Sequence, residues 1–153
     1  APKLHKLSPG TPLAVALTLL LQADVSAIPI VDESGALLDM YCRSDITSLA
    51  RGNSYAQLNW DEVTVSQALA LSHSASAARV ADAEAIKAGT PGHHFHGSSG
   101  NVNAVAQPAP RVYVCTRRDT LRMAVERLAL PGVRRLVVVE PESRRVEGIV
   151  SLK

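Results

Sequence analysis

Two adjacent arginines are the residues of this sequence whose type and position best suit the binding of an anion. Arg134 and Arg135 stand immediately before the apolar run Leu136 to Val139. Each guanidinium group is planar and always charged, and it can offer paired hydrogen bonds to a phosphate. Because side chains alternate along a strand, the alternative is that one of the two is a solvated surface residue. The pair therefore indicates a phosphate-binding position beside a buried strand.

A second candidate is Asp45, which begins a predicted helix that runs to Ala50. A lone Asp at such a position is most often an N-cap, whose side chain accepts a hydrogen bond from the backbone. Capping and ligand binding are compatible, because a short acceptor at a helix start is held in place in either role. Asp45 is therefore a candidate acceptor for a bound ligand.

Other clusters of reactive residues match no recognisable catalytic or metal-binding pattern. His93, His94 and His96 could chelate Zn²⁺ or Ni²⁺, but no acidic or Cys partner is near them in a Gly-rich segment. The sequence has no phosphate loop of the Walker or Rossmann type and no nucleophile elbow. Five further arginines could form a basic face, although a solvated helix face is the commoner explanation: Arg111, Arg117, Arg118, Arg122 and Arg127. We therefore predict no enzyme activity, no metal and no nucleic-acid partner.

Composition limits the kind of protein further. Hydrophobic residues make up 46% of the 153 residues and aromatic residues only 3%, so the core must be aliphatic. Cys42 and Cys115 have no framework spacing and are typical of reduced intracellular thiols, which favours a cytoplasmic location with the nucleus as a second one. No apolar run reaches the roughly 18 residues that span a bilayer, so no membrane partner is expected. Ala1 is not an initiator Met and Lys153 directly follows a strand-like run, so we expect a fragment of a longer protein.

An internal repeat relates the two ends of the chain. The segment Thr11 to Asp32 aligns without gaps with the segment Asp119 to Glu140, and equivalent residues are 108 positions apart. Each copy has the pattern of an amphipathic helix, an apolar strand, an acidic turn and a second strand. The apolar strands are predicted from Ile28 to Val31 and from Leu136 to Val139, and a further strand is predicted from Arg111 to Thr116. The matched apolar residues are Leu13 with Leu121, Ala16 with Ala124, Leu20 with Leu128 and Val25 with Val133. The sequence therefore predicts a small α/β unit duplicated within one chain.

These copies resemble two consecutive members of a known family. Val25 to Gly35, Asp39 to Ala50 and Asn59 to Leu69 are similar to the third CBS repeat of AMP-activated protein kinase gamma subunits. Val133 to Glu140 and Val146 to Leu152 are similar to the fourth repeat. Only residues 73–110 fall outside the resemblance, and their Ala, Ser, Gly, Pro and His content predicts a flexible insertion.

The resemblance implies a Bateman module of α/β (α+β) class, in which two tandem CBS motifs pack about a pseudo-twofold axis. Each motif is expected to hold a small three-stranded sheet with two helices. We expect the first motif at 1–58 and the second, truncated at its C-terminal end, at 59–153, with the insertion at about 73–110. In the family, each of two clefts between the motifs can hold AMP, ADP or ATP, and no cofactor is implied.

For the first cleft, the resemblance implies that Asp45 accepts hydrogen bonds from the ribose hydroxyls while Arg134 and Arg135 hold the phosphate. Arg134 replaces a family His, Cys42 replaces a family Ser, and His73 stands where the family has a phosphate-binding Arg. Apolar positions at Met40, Val112 and Tyr113 are implied beside the base, with core packing as an equal alternative. The residues of the first cleft are Met40, Cys42, Arg43, Ser44, Asp45, Val112, Tyr113, Arg134 and Arg135.

For the second cleft, the resemblance implies a base-side strand at Val25, Ser26 and Ala27 and a Ser-x-x-Asp motif that begins at Ser151. The ribose-binding Asp of that motif would be the residue after Lys153. We therefore expect that this chain cannot form a normal second site.

The implied function is regulatory: a nucleotide-sensing module of a kinase gamma subunit, whose partners are the catalytic alpha and scaffold beta subunits. Two alternatives stay open. The clefts could be empty, so that the module is a scaffold for subunit assembly, or the CBS pair could regulate another effector protein.

Overall fold

The computed structural model describes residues 3–51, 56, 58–73 and 111–152. The helices are α1 (Leu13–Gln22), α2 (Arg43–Arg51), α3 (65–73) and α4 (Leu121–Leu128). The strands are β1 (Ala27–Val31), β2 (Leu37–Cys42), β3 (Val114–Cys115), β4 (Arg135–Val139) and β5 (Val146–Ser151). The predicted insertion lies outside the described residues apart from His73 at its edge, and so do His93, His94 and His96.

The two copies form sheets with matching construction. β1 pairs antiparallel with β2 in one sheet, and β4 pairs antiparallel with β5 in the other. The register shifts between Ile30 and Val31 in the first hairpin and between Val138 and Val139 in the second. These shifts are 108 residues apart, so the sequence repeat is also a repeat of backbone geometry.

Backbone residues with positive φ recur at equivalent positions too. Asp24 (φ 46°) and Gly132 (φ 84°) both lie between the first helix of a copy and its first strand. Gly35 (φ 85°) and Arg144 (φ 57°) both close the following acidic turn, and they are 109 residues apart because the second turn is one residue longer. The left-handed conformation suits Gly, so Asp24 and Arg144 hold a backbone shape that disfavours side chains.

Reciprocal hydrogen bonds join the two acidic turns. Leu37 N–H donates to the carbonyl of Arg144, and Val146 N–H donates to the carbonyl of Gly35, each over 3.0 Å. Leu37 in the first copy is equivalent to Val146 in the second, and Gly35 is equivalent to Arg144. Each bond therefore joins the same two positions, with the donor in one copy and the acceptor in the other. Such an exchange is the signature of a local twofold axis, which confirms the predicted pseudo-twofold arrangement and α+β class.

The copies differ in how their third strands form. In the second copy, β3 runs parallel to β4. In the first copy the equivalent segment makes a single parallel bridge, Leu7 to Ile30, with hydrogen bonds from Leu7 N–H to Pro29 and from Val31 N–H to Leu7. The predicted strand from Arg111 to Thr116 is thus only the two residues of β3, although the carbonyl of Tyr113 also accepts a hydrogen bond from the backbone N–H of Val137.

Burial is concentrated on α1, β1 and the junction between the sheets. Leu13, Ala16 and Leu20 on α1 pack with Leu49 of α2 and with buried residues of α3. A second cluster joins β1 and β2 to β4 and β5, so it lies between the copies.

Thr64 caps α3 through a reciprocal pair with Gln67, in which each backbone N–H donates to the other's side chain. In the described ranges, no helix has the length and apolar character needed to cross a membrane.

Candidate functional site

A cavity of about 590 Å³ opens between the two copies. That volume falls in the range of roughly 300–1,000 Å³ that is typical of small-molecule sites. The first copy contributes β2 and the start of α2, and the second copy contributes the segment before β3 and the loop before β4. Its walls comprise Ser26, Met40, Cys42, Arg43, Ser44, Asp45, Arg111, Val112, Tyr113, Pro131, Gly132, Val133, Arg134 and Arg135.

Asp45 lies in the first turn of α2 at the floor of this cavity and is only 5% exposed. Its Oδ2 atom accepts a hydrogen bond of 2.8 Å from the backbone N–H of Cys42. That bond satisfies a donor at the start of the helix, as expected of a carboxylate there. Asp45 is therefore not the N-cap that the isolated pattern predicts: it is the third residue of α2, and its carboxylate reaches back to the residue before the helix, as the third residue of a capping box does. The same carboxylate lines the cleft.

Arg111 forms a two-point ion pair with the Asp45 carboxylate. Its Nη1 donates to Oδ1 and its Nη2 donates to Oδ2, both over 3.1 Å. Nη2 also donates to the carbonyl of Met40 over 3.1 Å, and Nε lies 3.5 Å from Oδ1 of Asp39. Burial alone lowers the pKa of the Arg111 guanidinium, but the hydrogen bonds and charge of Asp45 outweigh it and raise that pKa. The cation is therefore fixed in the charged form against β2.

Sequence reasoning missed Arg111 as a site residue, because it assigned this arginine to a solvated basic face. The signal that could have found it is its position directly before Val112 and Tyr113, which were already assigned to the cavity wall. The contact with Asp45 joins residues 66 positions apart, which no local pattern encodes.

Arg135 connects the two copies through Cys42 and Ser26. Its Nη1 donates to Cys42 Sγ over 2.9 Å and its Nη2 to Ser26 Oγ over 3.2 Å. Its Nε is buried and has no hydrogen-bond partner in the described part of the chain. Burial raises the pKa of the Cys42 thiol to about 11, with the charge of Asp45 adding to the rise. Asp45 and Arg135 therefore both contact Cys42 and line one shared cavity.

Arg134 and Arg135 face the same cavity even though strand alternation would separate them. The reason is that β4 begins at Arg135, so Arg134 lies in the preceding loop and is free of the alternation. Arg134 is exposed and Arg135 is half-buried. The cleft therefore holds four arginines, counting Arg43 and Arg111, against the single carboxylate of Asp45 among its lining residues.

A second cavity of about 610 Å³ lies on the other side of Arg135. Val25, Ser26, Ala27 and Ser151, the residues predicted for the second cleft, all line it. Ser26, Arg43 and Arg135 line both cavities and so form the wall between them.

The remaining predicted residues of the first cleft also line its cavity. Met40 and Val112 belong to the apolar cluster between the copies as well, so packing and cavity lining are combined in these two side chains. His73 ends the described part of α3, is exposed and lines neither cavity. Contact of any of these residues with a ligand stays a prediction. Where the chain is described, no three His, Cys, Asp or Glu residues are grouped to hold a metal.

Two repeated α+β units about a local twofold axis, with clefts between them, define a tandem-repeat module. Residues 1–52 and 102–153 each match the CBS domain family, so the chain belongs to that family.

The relatives that it matches include kinase subunits. Over 145 residues it is 30% identical to the 5'-AMP-activated protein kinase subunit gamma of Dictyostelium discoideum, which covers 93% of this chain and 19% of that protein. Over 142 residues it is 28% identical to the same subunit of Saccharomyces cerevisiae, covering 93% of this chain and 33% of that protein. The chain therefore spans a fifth to a third of these relatives. Among solved structures, CBSX2 in complex with AMP matches with a TM-score of 0.58 at 19% identity, covering 97% of this chain and 81% of that one.

Proposed function

We propose that the first cleft binds an adenine mononucleotide (AMP, ADP or ATP) and that the chain is a regulatory, non-catalytic module of a kinase gamma subunit. The observation that carries this proposal is one hollow lined by a carboxylate from the first copy and by paired arginines from the second. A mononucleotide has the matching polarity, with two hydroxyl donors near its middle and an anionic end. Similarity to gamma subunits and to an AMP-bound CBS structure supports the same ligand class.

In this proposal each part of the nucleotide has a chemical partner in the cleft. The apolar side chains of Met40 and Val112 offer a surface for the flat adenine ring. Asp45 offers acceptor oxygens to the ribose, and Arg134 and Arg135 offer charged donors to phosphate. Nη2 of Arg135 carries two hydrogens and, in the described part of the chain, donates to Ser26 alone, so it keeps one donor for a phosphate.

Regulation would follow from differential binding. A nucleotide that contacts both copies stabilises the relative arrangement of the copies that it binds more tightly. The shift in the equilibrium between two arrangements cannot exceed the difference in the nucleotide's affinity for them. The proposed partners that sense this placement are the alpha and beta kinase subunits, in the cytoplasm. We propose CBS motifs at 1–58 and 59–153, of which α3 moves together with the first motif because it packs against α1.

Calorimetry on paired arginine variants tests the nucleotide site. We expect AMP to bind the unchanged chain, and Arg135→Met to weaken that binding about tenfold to a hundredfold, since a charge-assisted hydrogen bond contributes roughly 1.5–3 kcal/mol. Adenosine, which lacks the phosphate, should lose much less. Arg122→Met is the matched control, because the Arg122 side chain is 87% exposed on α4 and pairs with Glu126 one turn away.

The proposal fails if titration of the unchanged chain with AMP, ADP and ATP gives no measurable heat of binding. It also fails if Arg122→Met weakens AMP binding as much as Arg135→Met does. The first result would favour a second candidate, a nucleotide-free scaffold for subunit assembly. One observation supports that candidate: the Asp45 carboxylate is already occupied by Arg111. Co-purification with alpha and beta subunits would separate either kinase role from regulation of another effector.

A further inference from the structure

The carboxylate that the proposed ribose must reach is already satisfied by the protein itself. Asp45 is 5% exposed, its Oδ1 accepts from Arg111 Nη1, and its Oδ2 accepts from Arg111 Nη2 and from Cys42 N–H. To donate hydrogen bonds to Asp45, the two ribose hydroxyls must approach its carboxylate oxygens from the cavity. Arg111 lines that same cavity, so its guanidinium and a ribose diol compete for one surface.

We propose that Arg111 is an internal competitor for Asp45, which a nucleotide must displace before its ribose can be held. This inference rests on the proposed function, since it concerns how the same cleft selects and responds to its ligand. Arg111 is a positioning residue in this scheme: it sets the affinity for diol-bearing ligands by setting how often Asp45 is free.

The contacts of Arg111 show that its placement is specific. A two-point pair with a carboxylate fixes the orientation of the guanidinium as well as its distance. The additional bond to the Met40 carbonyl and the nearby Asp39 carboxylate hold the same side chain against β2. Only 35% of the Arg111 side chain is exposed and 8% of that of Asp45, so solvent screens the pair little. A loosely held surface arginine would be displaced almost without cost, and this one would not.

The expected effect follows from the fraction of molecules in which Asp45 is free. A ligand that binds only the open form has its apparent affinity reduced by that fraction. For a partly buried charged pair, we expect removal of Arg111 to strengthen AMP binding about tenfold to a hundredfold. If Arg111 were instead a phosphate ligand, the same substitution would weaken binding by a similar factor. The two roles therefore predict changes of opposite sign.

The test compares two nucleotides on two variants by calorimetry, using the whole chain. AMP carries the diol, and 2′,3′-dideoxyadenosine 5′-monophosphate has the same base and phosphate without it. Arg111→Met removes the charge and keeps the length of the side chain, and Arg122→Met again serves as control. We expect Arg111→Met to bind AMP about tenfold to a hundredfold more tightly, and its affinity for the dideoxy nucleotide to stay unchanged.

Each other outcome overturns the inference in a recognisable way. Weaker binding of both nucleotides would place Arg111 on the phosphate and leave the proposed function intact. Equal strengthening of both would mean that Arg111 blocks the cleft only by its bulk. If neither the unchanged chain nor any variant binds AMP, the proposed function itself fails and the inference fails with it. Circular dichroism checks folding, and Arg111→Gln, which keeps a neutral donor near Asp45, replaces Arg111→Met if that variant unfolds.

Discussion

Leu13 and Leu121 occupy the same position in the two copies, yet their surroundings in the described structure are opposite. Leu13 begins α1 and is 0% exposed, whereas Leu121 begins α4 and is 81% exposed. The difference comes from the segment that leads into α3. Leu13 N–H donates to the carbonyl of Val63 over 2.7 Å, and buried Val65 packs in the same cluster as Leu13.

The magnitude of two matched substitutions follows from these exposures. Leu13→Ala removes buried methyl groups from a packed cluster and leaves a cavity, which costs about 3–4 kcal/mol of the free energy of unfolding. Leu121→Ala removes surface that is already in water, so its effect should stay within about 0.5 kcal/mol. In a chain of this size, the first change corresponds to a fall of roughly 10 °C in the melting temperature.

Urea unfolding monitored by circular dichroism would measure both variants beside the unchanged chain. The slope of the transition should be the same in all three, so that the midpoints report stability directly. The reasoning would be refuted if Leu121→Ala lowered the midpoint as much as Leu13→Ala does. It would also be refuted if Leu13→Ala cost less than about 1 kcal/mol, since that value indicates an exposed or loosely packed leucine.

Two further predictions rest on pKa shifts. Cys42, with its pKa raised to about 11 by burial, should react with iodoacetamide at pH 8 roughly two hundredfold more slowly than a free thiol, because so little thiolate is present. The measurement uses Cys115→Ser as background, and a rate near that of free cysteine contradicts it. A hydrogen bond from Ser34 lowers the carboxyl pKa of Asp32, and one from Ser143 lowers that of Glu140. Folding therefore favours the ionised form of both side chains. The stabilisation is present above the carboxyl pKa of the unfolded chain and is lost as the pH falls through the lower pKa of the folded chain. The difference in urea midpoint between Asp32→Asn and the unchanged chain should therefore shrink from pH 6 to pH 3. A midpoint difference that grows over this range would contradict the prediction.

The internal repeat is what made the fold readable from the sequence. The strands predicted from Ile28 to Val31 and from Leu136 to Val139 are β1 and β4, each extended by one residue at its start. The helix predicted from Asp45 to Ala50 is α2, which begins two residues earlier because Cys42 ends β2 directly before it. Such patterns are local, so spacing and residue type suffice to find them.

Contacts between distant segments were less accessible. The residues predicted for the two clefts all line the corresponding cavities, because the family resemblance carried tertiary information that spacing does not. Arg111 was missed although its neighbours Val112 and Tyr113 were assigned to the cleft, because its ion pair with Asp45 joins residues 66 positions apart. Likewise, equal residue types at positions 13 and 121 gave no sign of their unequal burial. Burial depends on which segment covers a helix, and that segment lies outside the aligned repeat.

The reciprocal hydrogen bonds between the acidic turns bear on how a chain of this design can arise. A single copy standing alone would leave the N–H of Leu37 and the carbonyl of Gly35 without the partners that the second copy now supplies. Because these donors and acceptors are exchanged by a twofold rotation, two separate identical copies could satisfy each other in the same way. A homodimer of one ancestral unit would therefore already contain this joint, and fusing its two genes would preserve the joint while letting each half diverge.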